Sequence, residues 1–110
     1  MKKSTLKFEV DLDENHLPTT IIMNSSDKSE EDVMIKSLMV SAWDSSKQET
    51  LKLDLWTKDM MVNEMFIMYH QTLMSMAATL KKSTGHEKLA GALIDYCDFF
   101  AEQTKIRSSK

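Results

Sequence analysis

The chain is poor in the residues that build sharp turns, crosslinks and anion cradles. It holds two glycines (Gly85 and Gly91), one proline (Pro18) and one cysteine (Cys97) among 110 residues. Two glycines cannot assemble a phosphate-cradling loop, where the backbone must come close to the anion. One cysteine excludes an intramolecular disulfide, so redox logic does not fix the compartment. No run approaches the roughly 20 apolar residues that span a bilayer. Met1-Lys2-Lys3-Ser4-Thr5-Leu6-Lys7-Phe8-Glu9 opens basic, but charge alternates where a signal peptide needs an apolar stretch. A cytoplasmic protein without membrane insertion is the expectation.

Concentrated positive charge is missing as well. Net charge is −3; residues 1–60 hold 8 basic and 12 acidic side chains, and residues 61–110 hold 6 and 5. Neither half offers the basic patch that phosphate backbones require, which argues against nucleic-acid binding. A hydrophobic fraction of 42% is that of a folded protein, and this length is an ordinary single-domain size.

Reactive constellations are equally scarce. Asp11-Leu12-Asp13-Glu14-Asn15 begins like a calcium loop, but His16 stands where the sharp turn needs glycine and Ile22 where a bidentate glutamate closes the site. His16, His70 and His86 have no paired spacing, and no His/Cys cluster supplies three or four metal ligands. Cys97 lies in an apolar stripe beside Asp95 and Asp98, the setting of an inert buried thiol rather than a nucleophile. Ser25-Ser26 and Ser45-Ser46 lack the glycine-flanked elbow of a catalytic serine. No enzyme activity, catalytic residue, cofactor or metal is expected.

What is present is a change of rhythm. Leu6, Phe8, Val10 and Leu12 alternate with Lys7, Glu9, Asp11 and Asp13, the period of a strand with one wet face. Thr19 to Met23 is β-branched and returns as a second strand after turn formers and Pro18. Asn24 to Asp32 reads as a polar connection. Val33 to Trp43 is apolar enough for helix or strand; alternation of Ser37, Met39, Ser41 and Trp43 with Leu38, Val40 and Ala42, before a turn cluster, favours strand. Leu51, Leu53 and Leu55 then alternate with Lys52, Asp54 and Trp56, completing a second hairpin.

From Val62 the spacing becomes three and four: Val62, Met65, Phe66, Tyr69, Leu73, Met76, Ala77 and Leu80 mark a helix facing a core. Asp59 is the expected cap at its start and Gly85 its end. Thr84-Gly85-His86-Glu87 fits a capping box for a second helix, with Leu89, Leu93, Tyr96, Cys97 and Phe100 on one side. Residues 106–110 read as a tail. The expected architecture is α+β with order ββββαα: one antiparallel four-stranded sheet of two hairpins, packed by two C-terminal helices. Residues 1–110 form one domain, with strands near 5–13, 19–24, 34–43 and 50–57 and helices near 60–83 and 85–105.

Met61, Ile67, Met68 and Met74 add to the first helix's stripe, so little of its circumference is polar. A helix apolar nearly all round is buried on more than one side, either against a second subunit or protein partner, which is the leading expectation, or sandwiched between the sheet and the second helix. Trp43 and Trp56 lie off the leucine row or at its edge, where a place in the core or a subunit interface is the leading expectation and recognition of a partner the alternative. The candidate protein-contact surface is Trp43, Trp56, Met61, Met68 and Met74.

Several colinear blocks carry a resemblance. They are Met1-Lys2-Lys3-Ser4, Asp11-Leu12-Asp13-Glu14-Asn15, Ser41-Ala42-Trp43-Asp44, the run from Thr50 to Met60, Val62 to Met65, and Tyr96-Cys97-Asp98-Phe99-Phe100-Ala101-Glu102. Together they resemble the gliding motility-associated GldC family of surface-moving Bacteroidetes-type bacteria. The resemblance implies a small accessory component of gliding motility without known enzymatic activity, so no site residues carry over. An adaptor working through contacts with other motility components or with itself is the leading expectation. A small dimeric chaperone for an exported or membrane-associated client is the alternative.

Overall fold

The computed structural model describes residues 2–27 and 31–106. It divides into two compact units, Met1–Met60 and Met61–Lys110. The first contains five strands: β1 (Leu6–Leu12), β2 (Pro18–Ser25), β3 (Asp32–Ile35), β4 (Ser37–Asp44) and β5 (Glu49–Trp56). The second contains α1 (Val62–Thr84) and α2 (Glu87–Thr104). The α+β class holds, but the strands form a three-stranded sheet β1-β2-β3 and a two-stranded sheet β4-β5. The order is therefore βββββαα, not ββββαα with one four-stranded sheet.

The expected third strand is in fact two. β3 pairs with β2, Ile35 lying opposite Ile21, whereas β4 pairs with β5, Ser37 lying opposite Trp56. Lys36 alone separates them, and its carbonyl accepts from the Thr57 amide at 2.8 Å. The strand changes partner there, and no glycine or proline marks the place. Ser25 and Asp32, read as part of a connection, are strand residues. Residues 28–30 of that connection, and 107–110 of the expected tail, lie outside the described residues.

In the first sheet the register sets Phe8 beside Met23, Val10 beside Ile21, and Ile21 beside Ile35. Odd positions of β2 thus share an apolar face, and Ile21 on this central strand is fully buried. Burying such a side chain contributes about 2 kcal/mol. The opposite face carries Lys7, Glu9 and Asp11. The turn after β1 is closed by Asp13: its Oδ1 accepts from the amides of Asn15 (2.8 Å) and Leu17 (3.0 Å). His16, at φ 65°, occupies the left-handed conformation that this turn requires.

The helices begin where neither expected cap stands. Asp59 accepts from the Thr57 hydroxyl at 2.6 Å, which uses its carboxylate. The N-cap of α1 is Met61, whose amide donates to Glu64 Oε1 at 3.0 Å. Thr84 donates to the Leu80 carbonyl at 2.7 Å, and its hydroxyl oxygen accepts from the His86 amide at 3.1 Å, before the first turn of α2 rather than within it. His86 caps α2 instead, its Nδ1 accepting from the Leu89 amide at 3.1 Å. Gly85 ends α1 as expected, at φ 73°, its amide donating to the Lys81 carbonyl.

The two helices meet around Phe100 of α2, against which Phe66, Tyr69 and His70 of α1 lie. Ala77 of α1 and Ala90, Cys97 and Ala101 of α2 are the buried residues of this unit. The larger residues expected to face a core are mostly not buried: Phe66 is 37% exposed, Tyr69 45%, Met76 53% and Tyr96 49%.

The two glycines give opposite expectations, because a Cβ at either meets nothing within 4 Å. Gly85→Ala forces an L side chain into the left-handed region and is expected to destabilise by about 1 kcal/mol. Gly91→Ala, inside α2, is expected to stabilise by about 0.5–1 kcal/mol. Urea unfolding of the two variants against the parent chain checks both signs.

Candidate functional site

Pairing in the second sheet sorts its side chains onto two faces. Leu38, Val40 and Ala42 lie opposite Leu55, Leu53 and Leu51 and make one apolar face. Leu51 and Leu53 on it are about half exposed, at 53% and 49%. Ser37, Met39, Ser41 and Trp43 share the other face with Trp56, Asp54, Lys52 and Thr50. Trp43 and Trp56 thus stand on one face, away from the leucines, and both are exposed. They occupy opposite ends of the hairpin, six register positions apart, or about 20 Å. They flank a surface rather than form a single cluster.

Trp56 borders a hollow of about 230 Å3 together with Leu17, Pro18, Asp54, Leu55 and Lys58. The hollow lies where the two sheets meet. Beside it the Lys58 amide donates to the Pro18 carbonyl at 3.0 Å, and Lys58 Nζ reaches Asp13 Oδ2 at 2.7 Å. The ammonium beside Asp13, with the Leu17 and Asn15 amides, lowers that carboxyl's pKa to about 2. Asp44 in the β4–β5 turn is also lowered, by the Ser46 hydroxyl and the Lys47 and Ser46 amides.

On α1, Met61 is exposed at the N-cap, and Met68 is half-buried in a groove of about 560 Å3. Threonine and serine from α1 line this groove beside Met76 and Leu80, with Leu93 of α2. Met74, also exposed, lies about 120° around the helix from Met68, because six residues turn through one and two-thirds revolutions. The expected methionine surface is therefore split: Met61 and Met68 share a side and Met74 does not.

Sequence reasoning missed a different surface of this unit. Val62, Phe66, Tyr69, Leu73, Met76 and Leu80 recur at spacings of 4-3-4-3-4 along α1, and Leu89, Leu93, Tyr96 and Phe100 at 4-3-4 along α2. The two stripes join through aromatic contacts: Phe66 is edge-on to Phe100 at 6.1 Å, and Tyr69 stacks on it at 6.4 Å. Tyr96 packs against Phe99 and Phe100 at 6.0 and 6.2 Å. From Met65 to Leu80 there is no Asp, Glu, Lys or Arg. The signal was available in the spacing, but the stripe was assigned wholly to the core.

The three histidines do different structural work. His16 lies in the β1–β2 turn, His70 stacks on Phe100 at 6.4 Å, and His86 caps α2. Among the described residues no group of three His, Cys, Asp or Glu side chains could hold a metal ion. Cys97 is buried, and burial, with the Asp98 charge adding to it, pushes its thiol pKa up from the ordinary value. Among the described residues no helix is long and apolar enough to cross a membrane.

These features define an α+β protein whose distinctive surfaces are apolar and aromatic. The family model described as "Gliding motility-associated protein GldC-like" matches residues 18–106. The chain belongs to this GldC-like family, which associates it with gliding motility. Neither the curated proteins nor the solved structures contain a significant match.

The Asp13 contacts carry a pH dependence. A carboxyl lowered from 3.8 to about 2 on folding adds stability that is complete above its unfolded value and lost as pH falls through about 2. The urea midpoint is therefore expected to fall between about pH 4 and pH 2, less steeply in Asp13→Asn. Unfolding curves for both chains across this range check the sign.

Proposed function

We propose that the chain is a cytoplasmic, non-catalytic accessory protein of gliding motility, an adaptor that docks other motility proteins through apolar contacts. Membership of the GldC-like family over residues 18–106 carries this reading. The exposed Trp43 and Trp56, on one face of the β4–β5 hairpin, support a contact role. Tryptophan is enriched among the few residues that dominate binding energy, because it covers much area with few torsions to freeze. Covering such area contributes about 25 cal/mol per Å2, less the entropy of association. Rigid strands position both rings in advance, which limits that entropic cost.

The test is genetic. In a gliding host, loss of this chain is expected to reduce spreading on a surface, and the parent chain to restore it. Trp43→Ala/Trp56→Ala, shown by circular dichroism to be folded, is expected to restore it poorly. Undiminished spreading without the chain would overturn the motility role. Full rescue by the tryptophan variant would place the docking contact elsewhere.

A further inference from the structure

We propose that β1 pairs with β1 of a second copy of this chain, antiparallel about a two-fold axis at Phe8, so that their three-stranded sheets run on as one. The first ground is an open edge. β1 is bonded to β2 on one side, and among the described residues no strand pairs with the other side. The Ser26 amide donates to the Thr5 carbonyl at 3.0 Å, one step before the Leu6–Ser25 pair. Opposed residues of an antiparallel pair alternate between bonded and unbonded, so Thr5, Lys7 and Glu9 spend their main-chain groups on β2. Leu6, Phe8 and Val10 present theirs outward. An extended strand satisfies such a row in sequence, whereas a helix has already bonded its amides and carbonyls along its own axis. The chain's other strands are placed elsewhere: β2 and β3 complete this sheet, and β4 pairs with β5.

The second ground is that this edge is straight and already ordered. β1 holds no glycine or proline, and its register shifts only between Asp11 and Leu12, past the outward row. Ahead of Leu6 the Thr5 amide donates to Ser26 Oγ at 3.0 Å, and the Ser4 hydroxyl donates to Asp27. Little ordering entropy is left for an incoming strand to offset. β5 also carries neighbouring opposite charges, Lys52 and Asp54, but its outer edge is obstructed. The Lys58 amide, in line with the outward groups of β5, donates to Pro18, and Leu17 and Pro18 stand beside Asp54 and Trp56.

The third ground is charge, which selects both the occupant and the register. A two-fold axis at Lys7 opposes Lys7 to itself, one at Glu9 opposes Glu9 to itself, and one at Val10 opposes Glu9 to Asp11. Like charges directly opposite are destabilising. An axis at Leu6 leaves most of β1 unopposed. An axis at Phe8 sets Lys7 against Glu9 on both sides of the two-fold, at the unbonded position where side chains approach most closely. On the other face Phe8 meets Phe8 and Leu6 meets Val10. Both charged side chains are free to turn towards a neighbour, being 61% and 67% exposed. A foreign strand would have to reproduce this pattern; a second copy of β1 carries it.

This pairing goes beyond the motility role and is independent of it. Sedimentation equilibrium of the full chain is expected to give twice the 12.7 kDa chain mass. Lys7→Glu and Glu9→Lys, each alone, are expected to weaken the dimer at least about tenfold, because like charges then face each other. An equal mixture of the two variants is expected to dimerise as the parent does, since every glutamate again faces a lysine. That recovery also shows both variants to be folded. In a mixture of isotope-labelled and unlabelled parent chains, an intermolecular nuclear Overhauser contact is expected between the Hα atoms of Lys7 and Glu9. A parent chain that stays monomeric at high concentration overturns the proposal, and protection of its Phe8 amide from exchange would then show that the chain covers its own edge. A dimer whose intermolecular contacts lie outside β1 overturns it too, and a variant mixture no tighter than its components overturns the register at Phe8. None of these results touches the motility assay.

Discussion

Lys36 separates two strands that pair with different neighbours, and one main-chain hydrogen bond governs that change. The Thr57 amide donates to the Lys36 carbonyl, which carries the β4–β5 ladder one step beyond Ser37. The next amide, of Lys58, turns to Pro18 at the head of β2, and the Lys58 side chain anchors the β1–β2 turn through Asp13. A two-stranded hairpin alone is marginal in water. Here its open end is fastened to the three-stranded sheet through Lys58, whose amide donates to Pro18 and whose ammonium reaches Asp13. Thr57 is buried, which shields this junction from competing water. The hollow beside Trp56 follows from the same junction, since Pro18, Leu55 and Lys58 all belong to it.

The helical unit rests on a different choice. Its buried residues, Ala77, Ala90, Cys97 and Ala101, are all small, and the bulkier Phe100 is only half-buried where Phe66, Tyr69 and His70 meet it. Phe66, Tyr69, Tyr96 and Phe99 stay partly exposed around them. Their mutual contacts order the aromatic rings without removing them from solvent. The buried thiol belongs to the same arrangement, where sulfur acts as a compact filler and its ionisation is suppressed.

Much of this was legible in the residues. Two-residue alternation located β1 and β5, and three-to-four spacing located both helices, because each period reflects local geometry. The α+β class and the family followed. The split at Lys36 was not legible: it arises from an exchange of partners between strands distant in sequence, and the apolar run from Val33 to Trp43 continues across it. The caps failed for a related reason. Asp59 and Thr84 have the chemistry to cap, but each helix starts two residues further on, with Met61 and His86 at the caps, and the two side chains bond to Thr57 and to Leu80 and His86 instead. Among the candidate contact residues, the off-row placement of Trp43 and Trp56 could be read from alternation. A methionine count could not show that Met68 and Met74 diverge around α1, although their six-residue separation could have. Periodicity identifies the apolar stripe of a helix, but it does not say which part of that stripe a neighbour covers.

The pairing pattern also shapes how the chain reaches this structure. Within each unit, every extensively paired element lies next to its partner along the chain: β1 with β2, β2 with β3, β4 with β5, and α1 with α2. Such short loops cost little entropy to close, and low contact order favours rapid folding. The strands are synthesised before the helices, so each hairpin can form as it leaves the ribosome. Nascent β-edges then spend little time unpaired, and the chain gains protection from misassembly through topology alone.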